Sequence, residues 1–268
     1  MCLYCLRNNI NIFVFDNIKR TMSNNTNHSR GRLGNQIIRN TACSLLAKKY
    51  DLRFTYGYDS QMCLLGIPLY YNGTKYHTKM FKLEDDDFPR FLCRDDLGEY
   101  NIYANDNFYQ TSEAAMIYRD FYHSDEVKTS IMSINPFKER YNANNDVYVH
   151  IRLADATCWC PSFDYYDKVL GSLTFDNGYI STDDFEHELC QKLITKYSLT
   201  PLRVMDEVTT IHFASTCKYI VLTNGTYGWF IGVIAWFSTV YFPNLDLREK
   251  FHGDIFVYPE WNKIDYVG

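Results

Sequence analysis

Beyond residue 146 the secondary structure written into the chain changes back and forth, and that alternation constrains the fold more than any other feature. Val147–Ile151 is a short run of β-branched and aromatic residues that reads as a strand. Thr182–Tyr197 places Phe185, Leu189, Leu193 and Tyr197 one turn apart, the spacing of a helix with one apolar side. Lys218–Leu222 reads as another strand. Strands separated by helices lie parallel in one sheet with the helices covering it. The expected class is therefore α/β.

Upstream, the run Gly31-Arg32-Leu33-Gly34-Asn35-Gln36 opens a helix in which Ile38, Ala42, Leu45, Leu46 and Lys49 recur at helical spacing, with Arg39, Thr41 and Lys48 on the other side. Leu52–Tyr58 reads as a short strand, and Glu84–Asp87 as a solvated acidic face, since adjacent carboxylates repel. Tyr100–Phe121 reads as a strand, a turn or cap at Gln110–Glu113, and a helix through Ala114, Ile117, Tyr118 and Phe121. Pro136–Asp146, polar and rich in asparagine, is the best domain boundary. No internal repeat is visible.

At 268 residues and 46% hydrophobic content the chain can bury the core of one large or two ordinary domains. A net charge of -5 argues against a general nucleic-acid or anionic-membrane partner, so an anionic ligand must be met by a few placed cations. Nine cysteines show no repeated metal-like spacing, which favours buried thiols in a reducing compartment. Sequons stand at Asn24, Asn27, Asn72 and Asn224; a glycan at Asn224 would obstruct a motif described next, which also points to the cytoplasm. No stretch reaches the roughly 18 to 20 apolar residues that span a bilayer, and Trp229–Phe242 fits a buried helix leading into a strand. Met1–Thr21 lacks a cleavage-site pattern, and a second methionine, Met22, opens the polar run Ser23–Ser29, so the first twenty or so residues are dispensable to the expected fold.

Three turns carry polar groups suited to a ligand. A helix N-terminus following Gly31 and Gly34 presents unsatisfied N–H groups, with Arg32, Asn35 and Gln36 beside them. His150-Ile151-Arg152-Leu153-Ala154-Asp155 falls where the strand from Val147 ends, and ligands of open α/β sheets bind beyond the carboxyl ends of strands. There the Arg152 guanidinium can grip phosphate through two parallel bonds, with His150 and Asp155 placed to orient it or the substrate. Thr223-Asn224-Gly225-Thr226-Tyr227-Gly228-Trp229 again follows a strand and precedes an apolar helix, and its hydroxyls and N–H groups can cradle a diphosphate. Each run, alone, also fits an ordinary turn or a surface ion pair.

Together these runs resemble the family 11 glycosyltransferases, the alpha-1,2-fucosyltransferases. The Gly31–Gln36 run is similar to the family's G-x-L-G-N-Q turn, His150–Asp155 to its H-x-R-R-x-D strand end, and Thr223–Trp229 to its late turn. Tyr109–Glu113 is similar to the family's aromatic-Gln-Ser-Glu segment and Phe163–Tyr166 to its P-L-E-Y-Y segment. The likeness covers about Gly31 to Asn244. Leu153 stands where the family has a second arginine, and its aspartate-rich donor segment is hard to place before Lys218.

The resemblance implies a GT-B-like fold, two facing Rossmann-like domains with a cleft between them. Residues 1–29 would be an extension that need not be ordered, 30–138 the acceptor-side domain and 139–268 the nucleotide-sugar domain. It implies inverting, metal-independent transfer of L-fucose from GDP-fucose to a sugar hydroxyl of an acceptor glycan, with no cofactor beyond that donor. Arg152, His150 and Asp155 would be catalytic; Gly31, Gly34, Asn35, Gln36, Thr223, Asn224, Gly225, Thr226 and Tyr227 would hold the nucleotide. A different sugar-nucleotide donor on the same fold, or a non-catalytic carbohydrate-binding protein, are the alternatives.

Overall fold

The computed structural model describes residues 24–26, 31–104, 107–245 and 254–266. In chain order its elements are α1 (Leu33–Tyr50), α2 (Asp59–Leu64), β1 (Lys79–Lys82), α3 (Asp87–Cys93), β2 (Tyr100–Tyr103), α4 (Ser112–His123) and α5 (Asp125–Ile134). There follow β3 (Val147–Ile151), α6 (Phe163–Ser172), β4 (Gly178–Thr182), α7 (Glu188–Tyr197), β5 (Thr200–Pro201) and α8 (Glu207–Ala214). The last are β6 (Tyr219–Val221), α9 (Thr226–Val233), β7 (Thr239–Pro243) and β8 (Asn262–Ile264).

Among the described residues, β3 to β8 form a six-stranded sheet in the order β5-β4-β3-β6-β7-β8, and β1 pairs with β2 separately. Every pairing is parallel. Counted from β3 the order is 3-2-1-4-5-6, that of a doubly wound sheet, so the fold is α/β and compatible with a Rossmann-like arrangement. Chain direction across the sheet reverses between β3 and β6, and this opens a crevice at their carboxyl ends.

Both faces of the sheet are covered. All five residues of β3 are buried. Val147, Val149 and Ile151 join one apolar cluster with Tyr165 and Tyr166 of α6 and Leu193 of α7. The alternate residue Tyr148 joins a second cluster that runs through α1, α4, α9 and the segment 255–261. Opposite faces at period two explain this division, and burial on both is typical of parallel sheets. The late segment returns to the first half of the chain, where Tyr258 Oη donates to Ala115 O at 2.8 Å and Glu260 pairs with Arg119 at 2.6 Å.

Four expectations need correction. Arg39 and Thr41 do not lie on an exposed side of α1; both are fully buried, because α1 is packed all round by α3, α4 and α9. Arg39 donates to Asn107 O at 3.1 Å and lies 5.0 Å from the Phe108 ring centre. Leu52–Tyr58 forms isolated bridges at Leu52 and Thr55 rather than a strand. Within Glu84–Asp87, Asp85 is buried, its carboxylate accepting the Phe108 and Tyr109 N–H groups, and Asp87 opens α3. The run Thr182–Tyr197 is not one helix: strand β4 ends at Thr182 and α7 begins at Glu188.

The helix after Gly31, the strands at Val147–Ile151 and within Lys218–Leu222, the helix and strand in Trp229–Phe242 and the cap at Thr111, which accepts the Ala114 N–H at 3.1 Å, stand where expected. Pro136–Asp146 holds a short 3-10 turn, Lys138–Arg140. It is tied to the second half through Asn144, which donates to Thr216 O at 2.8 Å, and through Arg140, which donates to Thr216 Oγ1 at 3.1 Å. The expected N-terminal extension lies outside the described residues apart from 24–26. No described helix is long and apolar enough to cross a membrane.

Candidate functional site

A pocket of about 690 Å³ occupies the crevice at the carboxyl edge of the sheet. Arg152 enters it directly after β3, Asp183 after β4, Leu202 after β5, and Asn224 to Tyr227 after β6. With strands about 4.8 Å apart, the wall from β5 to β6 is about 14 Å long. Of the residues singled out in the sequence, Gly31, Gly34, Asn35, His150, Arg152, Asn224, Gly225, Thr226 and Tyr227 all line it. Positions separated by up to 196 residues are thus brought to one surface.

Gln36 and Thr223 do not line the pocket. Gln36 is buried, donating to Gly31 O at 3.3 Å and accepting from Arg39 at 3.2 Å, so it shapes the turn and not the ligand surface. Thr223 is buried with its hydroxyl beside Cys160 and Tyr166. Asp155 lies in the 3-10 segment Ala154–Trp159; its side chain is outside what the structure describes.

The glycines have specific work. A Cβ at Gly34 would stand 2.5 Å from Tyr227 N and 2.7 Å from Thr226 Oγ1, so only glycine lets the starts of α1 and α9 touch. Gly225, at φ 119° and ψ 151°, occupies a region reserved for glycine and has open space where a side chain would be. Asn35 locks the junction: its Oδ1 accepts from Thr226 Oγ1 at 2.8 Å and from Gln110 Nε2 at 2.9 Å. The Tyr109–Glu113 segment thereby supports the same site. Neither α1 nor α9 has a side-chain cap or an acidic residue in its first turn. The positive charge at their N-terminal ends is met by neither a side-chain cap nor a first-turn carboxylate.

Asp183 is the residue that sequence reasoning missed. Its carboxylate pairs with Arg152, accepts the Leu153 N–H at 2.8 Å and meets Arg32 at 3.3 Å. One carboxylate therefore joins the first glycine turn to the end of β3. With Glu207, also in the wall, the lining carboxylates equal the two guanidiniums in charge. The only sequence signal was the Asp183-Asp184 pair, hidden because Thr182–Tyr197 read as continuous helix.

His150 is buried, with Nδ1 3.3 Å from Ser181 Oγ, and Ser181 also bonds the Tyr148 hydroxyl. Burial, aided by the charge of Arg152, pushes its pKa down to about 3. A base this weak takes little part in proton abstraction near neutral pH. His150 packs 5.2 Å from the Tyr227 ring and under Gly228, where a Cβ would lie 2.9 Å from its Cδ2. It positions the two turns as a neutral ring.

No family model matches the chain, and no curated protein matches it. The site therefore stands on its own geometry. Among the described residues no three His, Cys, Asp or Glu side chains are grouped to hold a metal ion. Two of the sequons are committed to the fold: Asn24 donates to Arg53 O at 2.8 Å, and Asn224 donates to Trp159 O. Both are about 1% exposed, so neither can carry a glycan in this fold, whereas Asn72 is exposed. Cys43, Cys190 and Cys217 are buried free thiols.

Proposed function

We propose that the protein is an inverting glycosyltransferase that moves L-fucose from GDP-fucose to a hydroxyl of an acceptor sugar, on a GT-B-like pair of facing Rossmann-like halves. The observation that carries this reading is the meeting of the glycine turn, the arginine strand end and the threonine turn in one pocket with two uncapped helix N-termini. Those N–H groups and the hydroxyl of Thr226 suit a diphosphate. Arg152, held by Asp183, would stabilise the charge that grows on the GDP leaving group as the glycosidic bond breaks.

Attack from the opposite face requires the acceptor hydroxyl to lose its proton to a nearby base. Asp183 is shared by two guanidiniums and a backbone N–H, which leaves Glu207 as the better candidate among the lining carboxylates. Transfer would not need a metal. Incubation with GDP-fucose and a glycan panel, with and without chelator, tests donor, acceptor and metal independence together. Absence of both transfer and donor hydrolysis, with GDP failing to bind, would overturn the reading.

A second reading keeps the fold and changes the donor sugar. It is favoured by Leu153, which is buried against the core where the resembling family places a second arginine. Screening sugar nucleotides for hydrolysis separates the two.

A further inference from the structure

One wall of the pocket comes from the first half of the chain, and its aromatic member is Tyr58. It directly precedes α2 with φ 56° and ψ 26° and is 40% exposed. A bulky residue in the left-handed region is an outlier that persists only where its surroundings over-determine it. Here they do. Gly57 N–H donates to Thr26 Oγ1 at 2.7 Å, Gly57 O accepts from Asn40 at 2.6 Å, and Tyr58 O accepts the Met62 N–H at 3.1 Å. On the next residue, Asp59 is fastened by the Tyr71 hydroxyl, and Tyr71 packs edge-on to Tyr56 at 5.3 Å.

The backbone is thus clamped on both sides while the side chain stays partly exposed, and the Tyr58 hydroxyl bonds to none of the described residues. Core packing does not account for a strained, exposed aromatic in a pocket that also holds Arg32, Arg152, Asp183 and Glu207. A pyranose fits this chemistry: its C–H face stacks on an aromatic ring and its hydroxyls reach the ring's polar tip and neighbouring carboxylates. We propose that Tyr58 is the stacking platform of the acceptor-sugar subsite, which deepens the transferase reading and rests on it.

Saturation-transfer NMR of the full chain with the methyl pyranosides of galactose, glucose, mannose and N-acetylglucosamine tests this. At least one should bind, with the strongest transfer to the ring protons of a single face. Tyr58→Gly removes the ring and relieves the backbone, so it should melt no lower than the parent yet weaken that glycoside by about tenfold or more, while Tyr58→Phe and Tyr58→Trp stay within about threefold. Unchanged glycoside affinity in Tyr58→Gly, or no binding of any of the four to the parent chain, overturns the proposal. The melting shift produced by GDP in the same samples reports the donor site separately. Ring-dependent glycoside binding without a GDP shift would remove the fucosyl-donor reading and leave the platform standing; a GDP shift without ring dependence would do the reverse.

Discussion

Gly34 and Tyr227 meet backbone to backbone: a methyl group on residue 34 would lie 2.5 Å from the Tyr227 nitrogen. This contact joins the two helix starts that frame the pocket, and backbone on one side cannot rotate away as a side chain can. Gly34→Ala should therefore destabilise by about 1 to 3 kcal/mol through overpacking. At about 2 to 4 °C per kcal/mol, thermal unfolding should record a loss of several degrees. A variant that melts with the parent would show that the junction is loose.

Gly225 predicts a different outcome, because nothing stands within 4 Å of its missing Cβ. Gly225→Ala strains a glycine-only conformation and thrusts a methyl group toward the ligand space. Nucleotide affinity should fall at least as strongly as stability. The check is the stabilisation by GDP: about 2.7 kcal/mol at a hundred times the dissociation constant for the parent chain, and much less for the variant at the same concentration.

For Arg152, charge and shape separate. On the proposed transferase reading, Arg152→Ala should lower turnover by about a hundredfold to a thousandfold, the usual loss for a charge-stabilising donor. Arg152→Lys keeps the charge but loses the fork, and should fall nearly as far. Asp183→Asn should also impair turnover, by freeing Arg152 from its anchor, with a smaller effect on nucleotide binding. Near-normal steady-state rates for the lysine variant would remove bidentate phosphate contact from the mechanism.

The acid limb of stability should carry the signature of His150. Its folded pKa of about 3 lies below the ordinary histidine value near 6.5, so the unfolded chain binds the extra proton first as pH falls. Its contribution is intact above about pH 6.5 and drains away as pH falls toward 3, at up to about 1.4 kcal/mol per pH unit. Buried His212 and the exposed His123 act in the same direction, each lowered chiefly by desolvation. His150→Gln should flatten the stability profile between pH 6.5 and 4 in denaturant titrations; an unaltered slope would mean the imidazole is solvated.

Local pattern revealed much of the fold. The strand Val147–Ile151, the strand around Ile220 and the helix after Gly31 each carry their own periodicity, and the three polar turns were visible because glycines and hydroxyls cluster at element ends. Strand β4 was not legible. Gly178–Thr182 is short and runs straight into a polar turn, so the helical spacing downstream absorbed its end.

What the chain by itself determined is therefore the strands at Val147–Ile151 and around Ile220, the helix after Gly31 and the polar turns at element ends, since these follow from interactions between residues near in sequence. Tertiary structure alone decided that Arg39 is interior, that Gly34 must be bare to meet Tyr227, and that Asp183, already paired with Arg152, also reaches Arg32, 151 residues away. Burial and ion pairing depend on what packs from elsewhere. No periodicity records the far side of a helix or the owner of a distant charge.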